Sequence, residues 1–249
     1  MNGEILKSHE WIGKCGFCKG KFSKDVMFNH LKLCEQRKIT PTKPSYRRKS
    51  KRKDQSIFHL IVEGSYKPEY WMHLNVPSDV KLEDLDDFLR EIWVECCGHL
   101  SAFNINNVRY EKDTAAVDDM WSTIFGKRAR PRSMYIRTGI ILHSGLEFSY
   151  EYDFGTTTHL TLKVLSEREE STKYRSIKML ARNEPPLIIC NVCGKPAKKV
   201  CSQCLYENKG WLCDQCAHEH KCGEDMLLPV VNSPRVGMCA YTGYAPSLR

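Results

Sequence analysis

The stretch LEFSYEYDFGTTTHLTLKV, residues 146–164, decides the fold class of this chain. On both sides of Gly155-Thr-Thr157, apolar and polar residues alternate with a period of two, as in strands with one buried face. A glycine followed by two threonines between such runs is typical of a turn, so the stretch predicts a β-hairpin. Because the two strands of a hairpin are antiparallel, we expect an antiparallel sheet around them.

Earlier segments supply more strands and two helices. Phe58–Val62 and Tyr70–Val76 are rich in β-branched and aromatic residues and are predicted as strands, and Phe103–Val108 is predicted as a further strand. From Leu82 to Glu95, apolar residues recur at helical spacing and acidic residues lie mostly outside that stripe. Residues 115–125 are a second predicted helix. Together these elements predict an α+β domain, an antiparallel sheet with helices on one face.

The composition is that of a globular chain. It has 249 residues, of which 41% are hydrophobic and 27% charged, which excludes disorder throughout and allows one or two domains. No apolar run approaches the ~18 residues that span a bilayer, and residues 1–20 lack a signal-peptide core, so we expect no membrane partner. Thirteen cysteines occur mostly as C-x-x-C pairs near histidines, which favours metal ligation and a reducing, cytoplasmic location.

The N-terminal cysteines predict a first zinc site. Cys15 and Cys18 form a C-x-x-C pair, and His30 and Cys34 follow on a helix predicted to begin near Val26. Residues four apart project from one face of a helix, so the histidine and the last cysteine point the same way. Four sulfur and nitrogen ligands with no carboxylate are typical of a closed structural zinc site.

This segment resembles a zinc finger of the Cys-Cys-His-Cys type, close to the Cys2His2 pattern. The gap between its second and third ligands is one residue shorter than usual, and its last ligand is a cysteine. A finger of this kind covers only about 3 base pairs, so a single one contacts either DNA or protein. The sequence leaves both alternatives open.

A basic linker follows the finger at residues 39–56. Residues 1–56 hold 15 Lys/Arg and 5 Asp/Glu, a net charge of +10 in a chain whose total is +8. Such a linker is either a solvated tether or a clamp on nucleic-acid phosphates, which gains affinity by releasing counterions. We expect nucleic acid to bind residues 1–56, and residues 127–132 are a second basic run of the same kind. The candidate phosphate-binding residues are Arg47, Arg48, Lys49, Lys51, Arg52 and Lys53.

The C-terminal cysteines predict two further zinc ions, which makes about three in all. Three C-x-x-C pairs and a trailing His-x-Cys give eight ligands, and the short gaps between pairs favour a cross-brace over a sequential arrangement. Spacing does not decide between His218 and His220. The first predicted set is Cys190, Cys193, Cys213 and Cys216, and the second is Cys201, Cys204, His220 and Cys222.

Few apolar residues accompany these ligands, so zinc should supply the folding energy of the C-terminal region. The region resembles the MYND and B-box types of cross-brace finger, which implies a protein partner for residues 190–249. We therefore divide the chain into a finger (1–38), a basic linker (39–56), a central α+β domain (57–184) and a double-zinc region with a tail (185–249).

Two runs in the central domain carry a family resemblance. They are WVECCGHLSAF at residues 93–103 and YEYDFGTTTH at residues 150–159. The chain from about 57 to 168 resembles the plasmid pRiA4b ORF-3-like proteins, also called the MM3350-like domain. Many members carry Asp and Trp where this chain has Thr156 and Thr157. The resemblance implies an α+β fold and a prokaryotic plasmid or transposon neighbourhood, but no established reaction.

Two alternatives to nucleic-acid binding stay open. A protein adaptor would use the zinc modules alone. A hydrolase or nuclease would use His99, Glu151, Asp153 and His159, provided that the end of the predicted helix meets the hairpin. A hydrogen-bonded turn explains the same residues, and we favour this non-enzymatic interpretation.

Three cysteines stay outside the predicted zinc sites. Cys96 and Cys97 are interpreted as small core residues, because adjacent cysteines do not easily share a metal ion. Cys239 lies in a turn-rich tail that is expected to fold back on the body of the protein.

Overall fold

One large sheet organises the computed structural model, which describes residues 11–35, 53–112, 131–172, 176–207 and 209–243. Its strand order is β2-β1-β10-β4-β3-β9-β8-β5-β6-β7, and every neighbouring pair is antiparallel except β6 and β7. This confirms the predicted α+β class. The strands are β1 (Ile12–Cys15), β2 (Lys21–Ser23), β3 (Lys53–Gly64), β4 (Lys67–Pro77), β5 (Ser101–Ile105), β6 (Val108–Glu111), β7 (Arg132–Ser133), β8 (Glu147–Tyr152), β9 (Thr158–Thr172) and β10 (Lys178–Asn183).

The described helices are few and short. The predicted helix after Leu82 is confirmed, although its last turn, Arg90–Val94, is a π-helix. Its apolar side packs in the main core with strand residues such as Tyr150 and Leu160. The helices are α1 (Lys24–Leu33), α2 (Leu82–Leu89), α3 (Thr138–Ile141) and α4 (Asp214–His218). Among the described residues, no helix has the length and apolar character needed to cross a membrane.

The predicted hairpin is confirmed as β8 and β9, which pair from Glu147↔Lys163 to Tyr152↔Thr158. Alternate residues of β8 are buried, as the period of two requires. Asp153 shapes the turn: its backbone is left-handed (φ 65°), and its carboxylate accepts the N–H groups of Gly155 (3.1 Å) and Thr156 (3.3 Å). Aspartate tolerates this conformation better than most residues because its short side chain bonds locally.

The single strand predicted over Phe103–Val108 is wrong. The chain turns back at Asn106 and Asn107, which separate β5 from β6 and are both left-handed, with φ of 50° and 61°. Two consecutive left-handed residues are what a tight hairpin turn requires, and asparagine tolerates them well. The Asn-Asn pair is therefore a turn signal that the apolar residues around it mask.

The N-terminal finger extends the large sheet. β1 pairs with β10 (Gly13↔Asn183 to Cys15↔Ala181), and β10 in turn pairs with β4. α1 begins at Lys24, two residues earlier than predicted, and buries Met27 and Leu31 against Trp71 of β4. The finger is therefore joined to the central domain by backbone pairing and by a shared apolar cluster.

The C-terminal region has its own small sheet, β12–β11–β13, formed by β11 (Lys199–Cys201), β12 (Trp211–Leu212) and β13 (Leu227–Pro229). One small buried cluster of this region consists of Cys190, Cys201, Leu212, Cys213 and Ala217, while Val200 of β11 is buried in the main core. A cluster this small supplies little hydrophobic stabilisation of its own.

The tail returns to the central domain, as expected. Ser233 Oγ donates to the carbonyl of Trp93 (2.6 Å), and Arg235 and Val236 are buried there. Asn183 Nδ2, at the end of β10, donates to Asn232 Oδ1 (2.7 Å). The tail also lies against the zinc region, since a Cβ atom at Gly237 would lie 2.6 Å from Leu205 and 3.2 Å from Val200.

Several predicted features lie outside the described residues. These are the basic residues Arg47, Arg48, Lys49, Lys51 and Arg52, the helix over residues 115–125, and residues 127–130 of the second basic run. Lys53 is the first residue of β3.

Candidate metal centres

Every cysteine of this chain belongs to one of four groups of metal-ligand candidates, each of which contains four ligand atoms that all lie within 4.8 Å of one another. For tetrahedral zinc with Zn–S bonds of ~2.3 Å and Zn–N bonds of ~2.0–2.1 Å, ligand atoms lie about 3.8 Å (S···S) and about 3.5 Å (S···N) apart. None of the thirteen cysteines forms a disulfide. The four groups could therefore hold metal ions.

The first group joins Cys15, Cys18, His30 and Cys34. Cys15 ends β1, Cys18 lies in the turn between β1 and β2, and α1 and its C-cap supply the others. Cys18 Sγ lies 3.3 Å from His30 Nε2, and the two remaining sulfurs are 4.0 Å apart. These distances are close to tetrahedral edges.

Local contacts prepare this group for a metal ion. The backbone N–H of Gly20 lowers the pKa of the Cys18 thiol, which favours the thiolate that binds metal. Burial lowers the pKa of His30, so its imidazole is neutral and can ligate. The ring of Phe22 stacks on that imidazole at 3.8 Å and fixes its orientation.

The C-terminal ligands form two groups in the cross-brace arrangement. The first and third C-x-x-C pairs share one group, and Cys193 and Cys213 are 3.5 Å apart there. In the other group Cys204 Sγ lies 3.5 Å from Cys222 Sγ and 3.6 Å from His220 Nε2. His218 is exposed at the end of α4 and belongs to neither group.

Backbone amides support the thiolates of these two groups. Burial alone would raise the pKa of Cys190, but N–H groups of Cys193 and Cys213 outweigh it and lower the value to about 6. Cys201 is affected in the same way, and its pKa falls to about 7. In the same groups the pKa values of Cys204, beside Cys222, and of half-buried Cys216 are raised to about 12, so a metal ion would displace protons from these thiols.

The fourth group corrects the interpretation of Cys97 as a core residue, whereas Cys96 does pack against the main core. Cys97 and Cys239 are exposed, Cys96 is half-buried, and all three lie together with His99. The chain turns at Gly98, which is left-handed (φ 73°), so Cys97 Sγ reaches 3.4 Å from the Nε2 atom of His99. The sequence did contain a signal for this group, because the three unassigned cysteines and His99, two residues after Cys97, supply four possible ligands.

The four residues of the enzyme hypothesis divide into two pairs. His99 Nε2 lies 3.6 Å from Asp153 Oδ2, while His159 Nδ1 lies 3.9 Å from Glu151 Oε1. Glu151 also accepts from Arg109 Nη1 (2.9 Å) and lies on the side of β8 opposite the buried tyrosines. The pairs therefore do not form one constellation.

Asp153 is bound by structural partners. Burial would raise its pKa, but the Arg235 guanidinium at 2.8 Å and two backbone N–H groups lower it below its usual value. The carboxylate is therefore ionised at neutral pH and holds the turn and the tail together. This contact gives the aspartate of the Tyr-Asp-Phe-Gly motif a structural role.

Comparisons with known proteins found a family match over the middle of the chain. A family model described as plasmid pRiA4b ORF-3-like protein matches residues 57–187. A crystal structure of MM3350 from Methanosarcina mazei Go1, a protein of unknown function, is similar at 16% sequence identity and a TM-score of 0.42, covering 53% of this chain and 72% of that one. No curated protein matches. The finger and the ligands at residues 190–222 lie outside the family match.

Proposed function

This chain belongs to the plasmid pRiA4b ORF-3-like family, and we propose that it is a zinc-stabilised, non-enzymatic protein that binds nucleic acid through residues 1–56. The family is named after a plasmid reading frame, which fits a role beside mobile DNA. The ligand groups contain thiolates and imidazoles without a carboxylate, the donor set of structural zinc sites. A reducing cytoplasm would keep these thiols available.

The outward face of α1 is the observation that carries this proposal. In fingers of the related Cys2His2 type, base contacts come from positions −1, 3 and 6 of the helix. With Lys24 as the first helical residue, these positions are Ser23, Val26 and Asn29. Asn29 is exposed and Val26 is 50% exposed, so both are accessible to a partner. An asparagine amide is able to bond both N6 and N7 of adenine.

The other side of α1 faces the central domain. Lys24 Nζ lies 2.8 Å from a carboxylate oxygen of Glu63, and the ring of Phe28 lies 5.1 Å from that of His59. The sheet therefore covers the side that a DNA-reading helix does not need. This orientation supports the proposed contact between the outward face and a nucleic acid.

The charge of the segment supports the same partner. The basic linker follows α1 closely in the sequence, and residues 1–56 carry a net charge of +10. Contacts with about four phosphates on duplex DNA would give a slope of about −3.6 for log affinity against log salt concentration. Such contacts add affinity without sequence preference, while the helix adds the preference.

Fluorescence anisotropy with labelled duplex DNA and metal-loaded full-length protein, from 50 to 200 mM salt, tests the proposal. Combined Arg47→Gln, Arg48→Gln, Lys51→Gln and Arg52→Gln substitutions are expected to make the salt slope shallower by up to about 3.6. The matched control replaces four exposed lysines of the C-terminal region with glutamine: Lys195, Lys198, Lys209 and Lys221. Equal slopes in the two variants, or no binding by the unmodified protein at 50 mM salt, would contradict the proposal.

A second arm of the same experiment tests the helix. Asn29→Ala is expected to weaken binding to a duplex enriched by the unmodified protein from a random pool, at a cost of about 1–3 kcal/mol. It should leave the salt slope unchanged, because the asparagine is uncharged. A uniform loss on all sequences would assign α1 a structural role only.

A protein adaptor is the second candidate, and exposed apolar side chains on the C-terminal module favour it. Leu187 is 74%, Val192 70% and Tyr206 72% exposed. Exposed apolar residues on a small module fit contact with another protein. Absence of nucleic-acid binding in the anisotropy experiment would make this candidate the better one.

A further inference from the structure

The fourth ligand group joins two distant parts of the chain. Cys96, Cys97 and His99 directly follow the π-helical turn after α2, whereas Cys239 belongs to the tail, 142 residues beyond Cys97. The two segments meet at the end of the β8–β9 hairpin, beside Asp153. A metal ion bound here would therefore link the tail to the central domain.

The distances fit a tetrahedral ion. Cys97 Sγ lies 3.3 Å from Cys96 Sγ and from Cys239 Sγ, and 3.4 Å from His99 Nε2, while Cys239 Sγ lies 3.6 Å from that nitrogen. Zinc would require about 3.8 Å between sulfurs and about 3.5 Å from sulfur to nitrogen. Shifts of about 0.5 Å in exposed side chains would therefore complete the coordination.

The surrounding charge favours an ion of this kind. Three thiolates and a divalent cation carry a net charge of −1. Arg235, whose side chain is 0% exposed, places Nη2 3.3 Å from Cys96 Sγ and 2.8 Å from Asp153 Oδ2. A cation held at this distance stabilises the thiolate form of the ligand set.

Exposure distinguishes this group from the other three. Each of the others contains at least one buried cysteine, whereas here two ligands are exposed and two half-buried. We propose that Cys96, Cys97, His99 and Cys239 form a fourth metal site for a thiophilic divalent ion such as Zn²⁺, that this ion exchanges faster than the others, and that it fastens the tail. This proposal is independent of nucleic-acid binding.

Metal counting on full-length protein, purified under reducing conditions with Zn²⁺, tests the site. Elemental analysis and native mass spectrometry are expected to give four ions for the unmodified protein and three for Cys239→Ser and for Cys97→Ser. Ala240→Ser, at an exposed neighbour outside the ligand set, is the matched control and should retain four. A chromogenic chelator should remove one ion from the unmodified protein in a fast phase that Cys239→Ser lacks.

Hydrogen–deuterium exchange tests the role of the ion. Deuterium uptake across residues 232–243 should rise in Cys239→Ser and stay low in Ala240→Ser, with the exchange of β3 and β4 unchanged in both. Three ions in the unmodified protein, or four in Cys239→Ser, would overturn the site. A disulfide between Cys97 and Cys239 in the zinc-loaded, reduced protein would also overturn it. Unchanged exchange of the tail after loss of the ion would overturn its role as a fastener.

Discussion

Arg235 shows how much a single residue of this chain can hold together. Its side chain is fully buried and bonds Asp153, the carbonyl of Thr156 (3.1 Å) and Thr158 Oγ1 (3.0 Å). The same guanidinium contacts Cys96. A buried charge is tolerated only when it is paired, so Arg235 and Asp153 depend on each other.

This dependence can be measured. Arg235→Met is expected to lower the free energy of unfolding by about 3–5 kcal/mol, because it leaves the Asp153 carboxylate buried without its cation. Asp153→Asn keeps a residue that tolerates the left-handed turn, and the double variant should lose less than the sum of the single losses. Urea denaturation of the metal-loaded protein measures the effects, with exposed Arg132→Met as control. Additive losses would show that the two residues act separately.

Ligand residues that lie close together in the sequence could be predicted from their spacing, whereas contacts between residues far apart in the sequence could not. The finger and cross-brace ligands follow repeated short spacings, and the structure brings together the groups that those spacings indicate. The aspartate of the Tyr-Asp-Phe-Gly motif is visible in the sequence, but its partner lies 82 residues later. No local sequence pattern relates the two residues. Cys239 was missed as a ligand candidate for the same reason, since it lies 142 residues after Cys97.

At the scale of elements, the pairing of β1 with β10 fixes the position of the finger on the large sheet. Gly13 lies on β1 where the strand crosses Trp71 of β4. A Cβ atom at this position would lie 2.3 Å from the Cη2 atom of Trp71 and 2.7 Å from the carbonyl oxygen of Arg182. The close approach of strand and indole therefore requires glycine.

Gly13→Ala is accordingly expected to destabilise the finger, at a cost of about 1–3 kcal/mol from overpacking. Increased hydrogen exchange in β1, β2 and α1 would report the effect, with the hairpin β8–β9 unchanged. Gly155→Ala is the matched control, because the nearest atom to its added Cβ lies at an ordinary 3.5 Å. Similar exchange in the two variants would show that the indole moves aside at little cost.

Elements with a strong pattern of their own were predictable, and elements defined by their neighbours were not. The stripe of α2 and the alternation of β8 and β9 identify them from sequence. β10 is short and has no alternation, and its burial follows from the strands on either side. Because β10 was not predicted, its pairing with β1, which attaches the finger to the sheet, was not predicted either.

The whole molecule has one large apolar core and smaller clusters at its ends that are rich in cysteine. The core includes side chains of β3, β4, α2, β8 and β9 together with Val200 of the C-terminal module, whereas the module's own cluster consists mostly of cysteines. In a module of this kind, the free energy of metal binding contributes directly to the free energy of folding. The two parts should therefore respond differently to loss of metal.

Removal of metal with a strong chelator under reducing conditions is expected to abolish exchange protection over residues 190–229. The paired region of β3, β4 and β9 should keep its protection, since the large core does not depend on the ions. Hydrogen–deuterium exchange with mass spectrometry measures both regions in one sample, and re-addition of Zn²⁺ should restore the module. Protection that survives complete removal would show that the module folds on its apolar contacts alone.

The pair Asn183 and Asn232 gives the chain an architectural property. Their side chains bond each other, and Asn232 Nδ2 also donates to the carbonyl of Asn183 (2.9 Å). The segment between these two residues therefore begins and ends at the same point of the central domain. The module is therefore an internal insert, and because Val200 of β11 packs in the main core, any replacement of the insert would have to fill that position as well.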